Sequence, residues 1–232
     1  MDKRLERTAS LIGEENIKLF KDKTVLVCGL GGVGGTALES LARSGIGNFI
    51  IVDFDVVDIT NLNRQILFVS SDIGMLKVEA SKNRIQAIHK EIRVRIVASK
   101  VNRELLDMLS VANIDFIIDA IDSPKAKVEL IKFALRQGIP FISSLGMANR
   151  LDPTAIRITD LEKTETDPLA KKMRTLMRKE KIELSRVPVV YSLEKPIIKG
   201  PVLASVMNVP SAAGLALAFY CLEKIQNWPN LS

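Results

Sequence analysis

Four glycines set the strongest constraint on this chain. They stand in Gly29-Leu30-Gly31-Gly32-Val33-Gly34, after the apolar run Thr24-Val25-Leu26-Val27-Cys28. A helix-periodic stretch over Thr36–Ser44 follows and is stopped by Gly45. A short continuous apolar run bounded by glycine reads as a central parallel strand. A glycine loop turning from such a strand into a helix lets backbone N–H groups approach a phosphate, with the positive end of the helix dipole behind them. Asn48–Val52 reads as the second strand, and Asp53 and Asp55 follow it in Ile50-Ile51-Val52-Asp53-Phe54-Asp55. Asp53 at that strand end is placed to accept hydrogen bonds from ribose hydroxyls. Loop, helix and acid together predict nucleotide binding. They do not separate NAD from ATP.

The alternation continues along the chain. Residues 4–22 read as an amphipathic helical lead-in, Lys77–His89 as a helix and Arg93–Ala98 as a strand. Phe116-Ile117-Ile118-Asp119-Ala120 is a buried strand, Pro124–Gln137 a helix and Gly138–Ser143 the start of a further strand, and Ile156–Thr159 continues the alternation. This pattern predicts an α/β fold: a doubly wound, Rossmann-like, mainly parallel sheet with right-handed crossovers and a C-terminal elaboration. In the elaboration, Asp167–Glu183 reads as a helix, Val187–Ser192 as a short strand and Glu194–Pro201 as a loop. The 232 residues are enough for one large domain. We expect residues 1–232 to form that single domain, with a nucleotide core over about 20–160 and a substrate-facing elaboration over about 161–232.

The residues after Asp53 favour ATP. Asn61-Leu62-Asn63-Arg64-Gln65 follows closely, Lys77 opens a helix after Gly74, and Asp122 follows a strand end in Asp119-Ala120-Ile121-Asp122-Ser123. A dinucleotide site has no use for this polar set. Adenylyl or phosphoryl transfer needs cations around the phosphate oxygens and a carboxylate for Mg²⁺. Arg64 and Lys77 are candidates for the first and Asp122 for the second. The competing reading is a set of surface charges at strand ends.

Bulk properties exclude more than they assign. Net charge is +6, which suits a phosphate-rich partner or a mixed, solvated surface. The chain holds two cysteines, Cys28 and Cys221, far apart, and one histidine, His89. No disulfide framework and no structural zinc site are expected, and a reducing cytoplasm is the expected location. Cys28 reads as a small core residue and His89 as a surface residue. Met1-Asp2-Lys3-Arg4 leads into charged residues rather than an apolar run, so no signal peptide is expected. Pro201–Leu222 carries no charge, yet it contains Asn208, Pro210 and two serines. It reads as a loop followed by a buried helix from about Ser211, not as a membrane span.

Taken as a set, these motifs resemble the MoeB/ThiF/HesA family, ATP-using enzymes related to ubiquitin-activating enzymes. Gly29–Gly34, Asp53-Phe54-Asp55, Asn61–Gln65, Gly74-Met75-Leu76-Lys77 and Asp119–Asp122 match in order and spacing. The resemblance covers roughly residues 4–160. It implies that Gly29, Gly31, Gly32, Gly34, Asp53, Asp55, Asn61, Asn63, Arg64, Gln65, Lys77 and Asp122 bind ATP. It further implies that Asp122 supports Mg²⁺, with Arg64, Lys77 and Asp122 acting in catalysis. It also implies a homodimer in which Arg7, in Arg4-Leu5-Glu6-Arg7, reaches the partner's ATP. The alternative for Arg7 is a surface arginine.

Within the family, one branch is most similar. Ala42–Gly47, Asp119–Ser123, Asp152-Pro153-Thr154 and Asp167–Lys171 resemble the dehydratases that cyclise threonylcarbamoyladenosine beside the anticodon of tRNA. This implies tRNA as partner and adenylation of the threonyl carboxylate, which converts a poor leaving group into AMP. Lys171, Lys172 and Arg174, on the basic helix, are candidates for the tRNA backbone, or else form a solvated face. Arg186 and Tyr191 are further substrate candidates: Tyr191 either stacks an unpaired base or lies in the core. Some branch members carry a cysteine shortly before the last helix. Here the stretch reads Met207-Asn208-Val209-Pro210-Ser211, which puts a link to a cysteine desulfurase or sulfur-acceptor system in doubt. The rival reading is an adenylating activator of a ubiquitin-like sulfur carrier.

Overall fold

Strands of four or five residues, the inner ones buried on both faces, build the sheet. In β1 (Thr24–Cys28), Val25 and Val27 face one apolar cluster while Leu26 and Cys28 face another. A strand buried on both faces needs helices on both sides. The computed structural model describes residues 2–198 and 203–226. It places β1, β2 (Asn48–Val52), β3 (Arg93–Val97), β4 (Phe116–Asp119), β5 (Phe141–Ser144), β6 (Ile156–Asp160) and β7 (Pro188–Ser192) in one sheet of order β3-β2-β1-β4-β5-β7-β6. All neighbours pair in parallel except β6, which runs antiparallel to β7 at the edge. The chain winds outward from β1 to β3 and then returns to β4 on the other side. The crevice between the carboxyl ends of β1 and β4 is therefore a topological switch point, where such sheets bind ligands.

The helices are α1 (Glu6–Ile12), α2 (Glu14–Asp22), α3 (Gly32–Ser44), α4 (Lys77–Ile88), α5 (Arg103–Leu109), α6 (Pro124–Gln137), α7 (Pro168–Lys179) and α8 (Asn208–Ile225). One face of the sheet packs on α3, α4 and α8, the other on α5, α6 and α7. Helix α8 lies tight against α3: a Cβ on Gly214 would stand 2.4 Å from the Val33 carbonyl oxygen. From Asn208 the uncharged segment is thus a helix with one face packed on α3. No helix among the described residues is long and apolar enough to cross a membrane.

Several expectations are corrected. The lead-in over 4–22 is two helices, because Gly13 takes φ 89° between them. Helix α3 begins at Gly32 rather than Thr36; glycine weakens a helix, but here it permits close packing, since a Cβ on Gly34 would lie 1.9 Å from the Gly29 carbonyl oxygen. Helix α5 was not anticipated; it is short and is started by Asn102, whose side chain accepts from the Leu105 N–H. β6 extends the sheet only as an antiparallel edge strand beyond β7, not as a further parallel member. Residues 199–202, within the expected loop and the start of the uncharged segment, lie outside the described residues.

Candidate active site

A cavity of about 370 Å³ opens at the carboxyl ends of β1, β2 and β4. Gly29, Gly31, Asp53, Asp55, Asn61, Arg64, Gln65, Lys77 and Asp122 all line it, so strands, loop and helix starts bring nine of the candidates together. Asp53 organises the floor. One of its carboxylate oxygens accepts from the Leu30 N–H at 2.7 Å and the other from the Asp55 N–H at 2.9 Å. It thereby joins the glycine loop to the end of β2, and each oxygen retains a lone pair for a further donor. Lys77, buried at the first residue of α4, places Nζ 2.9 Å from Asp55 Oδ2, while Asp55 is half-exposed. Asn61 Oδ1 accepts from the Asp58 N–H and fixes the short turn that carries Arg64. Arg64 Nη1 donates to the Thr60 carbonyl and to Asn63 Oδ1.

Four observations fit a nucleotide with its metal. No side chain caps α3, whose N-cap is Gly31; the first N–H groups of such a helix have no intrahelical partner. A Cβ on Gly31 would meet nothing nearer than Gln65 Nε2 at 4.0 Å, so the backbone there is open to close approach. The buried Gln65 Oε1 has no hydrogen-bond partner. Asp122 is exposed at the end of the β4 loop and forms no ion pair among the described residues. The described residues contain no cluster of three metal-ligating side chains. Nucleotide-bound Mg²⁺ needs only one or two carboxylates besides phosphates and waters, which Asp122 satisfies.

Other candidates are placed elsewhere. Gly32 and Gly34 do not line the cavity; they allow close packing, against the Arg64 carbonyl oxygen and the Gly29 carbonyl oxygen respectively. Asn63 is outside the lining, and its Nδ2 donates to the Ser205 carbonyl. Arg7 is exposed on α1; Leu5, the residue that caps this helix, packs against Gly45 in the turn before β2, away from this chain's own cavity. Lys171 and Lys172 are exposed on α7. Arg174 is not a free cation, because its Nη1 donates to the carbonyl and the hydroxyl of Thr164. Arg186 lies beside Pro188 and Phe141, at the amino ends of β7 and β5 and so at the opposite end of the sheet from the cavity. Tyr191 packs in the core at 5 % exposure, so no base can stack on it; both faces of β7 are covered.

The sequence reading missed a buried group beneath the site. Lys127 and Asp119 are both fully buried, with Nζ 3.1 Å from Asp119 Oδ2. Lys127 also donates to Ser143 Oγ, and Ser143 donates to Asp119 at 2.7 Å. Asp119 Oδ1 accepts from the Ile121 N–H, so the group holds the 120–122 corner. Only the lysine at an otherwise apolar position of α6 signalled it. Also unanticipated are Phe54, Ser99 and Val101 in the lining, with Lys100 Nζ 4.6 Å above the Phe54 ring. Both cysteines are buried. Burial pushes both thiols well up, and the Asp119 charge adds to this at Cys28.

A second cavity, of about 810 Å³, lies across the same corner: Ala120, Ile121 and Asp122 line both. Its far rim is stapled by Arg150. That buried guanidinium donates to the carbonyls of Glu194 and Ala148 and stands 3.5 Å from Asp167. Burial pushes the Arg150 pKa down, against the charges of Asp167 and Glu194.

Comparison with known proteins agrees with this geometry. Residues 4–190 match the model of the ThiF family. The chain is 44 % identical over 192 residues to the tRNA threonylcarbamoyladenosine dehydratase of Bacillus subtilis, covering 83 % of this chain and 75 % of that one. It is 40 % identical over 173 residues to the dehydratase of Escherichia coli, covering 75 % of this chain and 65 % of that one. The Escherichia coli dehydratase solved in complex with ATP superposes with a TM-score of 0.91 at 36 % identity, over 96 % of this chain and 93 % of that structure. The chain therefore belongs to the ThiF family, on the branch of the tRNA threonylcarbamoyladenosine dehydratases.

Proposed function

We propose that this protein is an ATP-dependent tRNA threonylcarbamoyladenosine dehydratase. The observation that supports it most is the convergence of Arg64, Lys77 and Asp122 on one cavity with the open glycine loop, in a chain whose relatives carry that name. In this reading Asp53 takes the ribose, and Arg64 and Lys77 meet the phosphates. Asp122 holds Mg²⁺, which neutralises phosphate charge when bound. A carboxylate oxygen of the threonyl group attacks the α-phosphorus, the bond to pyrophosphate breaks, and an acyl-adenylate forms. The neighbouring carbamoyl group then attacks the acyl carbon, AMP leaves with the former carboxylate oxygen, and the carbamoyl N–H proton passes to solvent. No protein nucleophile is needed, which is consistent with two buried cysteines.

The reading extends to the single adenylation domain over residues 1–232, to a homodimer, and to the cytoplasm, where buried, unpaired thiols stay reduced. The exposed position of Arg7, away from its own cavity, is what supports its action across the dimer. Mass spectrometry of nucleosides from modified tRNA incubated with protein, ATP and Mg²⁺ tests the function. Loss of one water from the modified nucleoside, with AMP formed, is expected; an unchanged nucleoside would refute it. For the dimer, Arg7→Ala subunits mixed with Arg64→Ala subunits should regain activity that neither has alone. Failure to complement would return Arg7 to the surface.

A further inference from the structure

The cavity across the 120–122 corner shares only Ala120, Ile121 and Asp122 with the nucleotide cavity, and its form is that of a ligand site. Its volume is about 810 Å³, within the roughly 300–1,000 Å³ of small-molecule sites. Apolar walls come from Val33, Ile121, Leu145, Met147, Leu169 and Leu203. The frame is rigid. Asn149 pairs with Ala204 through two hydrogen bonds of 2.7 Å and accepts from the Ile197 N–H, Gly146 donates to Asp167, and Arg150 ties to Glu194. Among the described residues, three non-glycines have positive φ; two of them, Asn149 at 61° and Thr166 at 55°, line this cavity. Strained backbone of this kind gathers at ligand sites. One lysine on the rim, Lys195, is exposed and forms no ion pair among the described residues. Asp122 stands on the wall shared with the nucleotide cavity.

We infer that this second cavity receives the modified adenine nucleoside of the tRNA, with its base against the apolar walls and its threonyl carboxylate guided by Lys195 towards the shared Asp122 corner. This rests on the proposed function and names the place of its acyl substrate. An acyl-adenylate can form only where a carboxylate reaches the α-phosphate, and Ala120–Asp122 is the boundary between the two cavities. A flat, largely apolar base with one anionic arm complements apolar walls with one unpaired cation. Lys195 is therefore a specificity-determining residue, whereas buried Arg150 is a positioning residue that holds the rim.

Lys195→Ala and Ile198→Trp test this in the full-length protein. Ile198 is a half-exposed residue of the lining, so a tryptophan there fills space without entering the core. Lys195→Ala should raise KM for modified tRNA about tenfold or more, through loss of a charge-assisted hydrogen bond, and Lys195→Arg should restore it. Ile198→Trp should abolish binding of free threonylcarbamoyladenosine in equilibrium dialysis. ATP affinity, read by calorimetry, should stay at the wild-type value in both. Wild-type turnover with neither variant impaired would overturn the cavity assignment alone. No turnover by the wild type, with the nucleoside still bound and displaced by Ile198→Trp, would refute the proposed function and leave the site standing. No turnover and no binding would remove both.

Discussion

The two cavities on either side of the 120–122 corner are built on different plans. The nucleotide cavity takes its lining from consecutive loops of one winding, residues 29–31, 52–65, 77, 99–101 and 120–122, each at a strand's carboxyl end or a helix start. The second cavity is assembled from distant segments, 144–150, 166–169, 195–198 and Leu203, joined by the side chains of Asn149, Arg150 and Asp167. Charge and backbone dominate the first, apolar side chains the second. A phosphate is bound by what every such sheet offers at its switch point, whereas a particular acyl group has to be met by side chains particular to this branch.

The shared corner is where this contrast can be broken most severely. Lys127→Met leaves Asp119 buried without its cation, and we expect a loss of about 3–5 kcal/mol in denaturant unfolding. Lys127→Met with Asp119→Asn should regain part of it, since the uncompensated charge is gone. A neutral single variant would mean that the pair does not hold the corner.

Asp122→Ala comes next. The residue is exposed, so stability should be unchanged, while kcat falls by about a hundredfold or more in a tRNA assay with saturating ATP. Full activity would take Asp122 out of both cavities' chemistry.

A smaller effect sharpens the distinction from the outside. Lys171→Gln with Lys172→Gln, both exposed on α7 beside the second cavity, should weaken tRNA binding and lower the salt slope of log K by about 1 for each phosphate that is no longer neutralised. ATP binding should not respond. An unchanged slope would make the helix a solvated face.

The smallest expected effect lies away from both. Burial would raise the Glu39 pKa, but the guanidiniums of Arg84 and Arg43 outweigh it and hold the carboxyl below its ordinary value. Because the folded value is depressed, the stabilisation is present above the carboxylate range and is lost as the pH falls through it. Glu39→Gln should therefore lower Tm at pH 7 and narrow the difference from wild type at acid pH, with the nucleotide cavity untouched. A pH-independent difference would assign the loss to packing.

The sheet's inner strands were legible because Val25–Cys28 and Phe49–Val52 are short unbroken apolar runs next to glycine or acidic turns, the pattern of a parallel strand covered on both faces. Nine nucleotide-site candidates were legible for a related reason. Loop order and strand ends place Gly29, Asp53, Arg64, Lys77 and Asp122 together in any right-handed βαβ winding. What the sequence could not determine is what depends on the meeting of distant segments. Tyr191 and Arg174 carry groups suited to RNA, yet cover on both faces of β7 buries the one and Thr164 engages the other. Lys127 is a charge in a helix pattern until Asp119 and Ser143, from two other elements, close around it. The sequence by itself determined the fold class and the phosphate-binding end of the sheet, because local periodicity and strand polarity suffice for both. Only the tertiary structure decided which polar residues are structural and where a second ligand can lie, because desolvation and hydrogen-bond pairing are properties of neighbours that sequence distance does not encode.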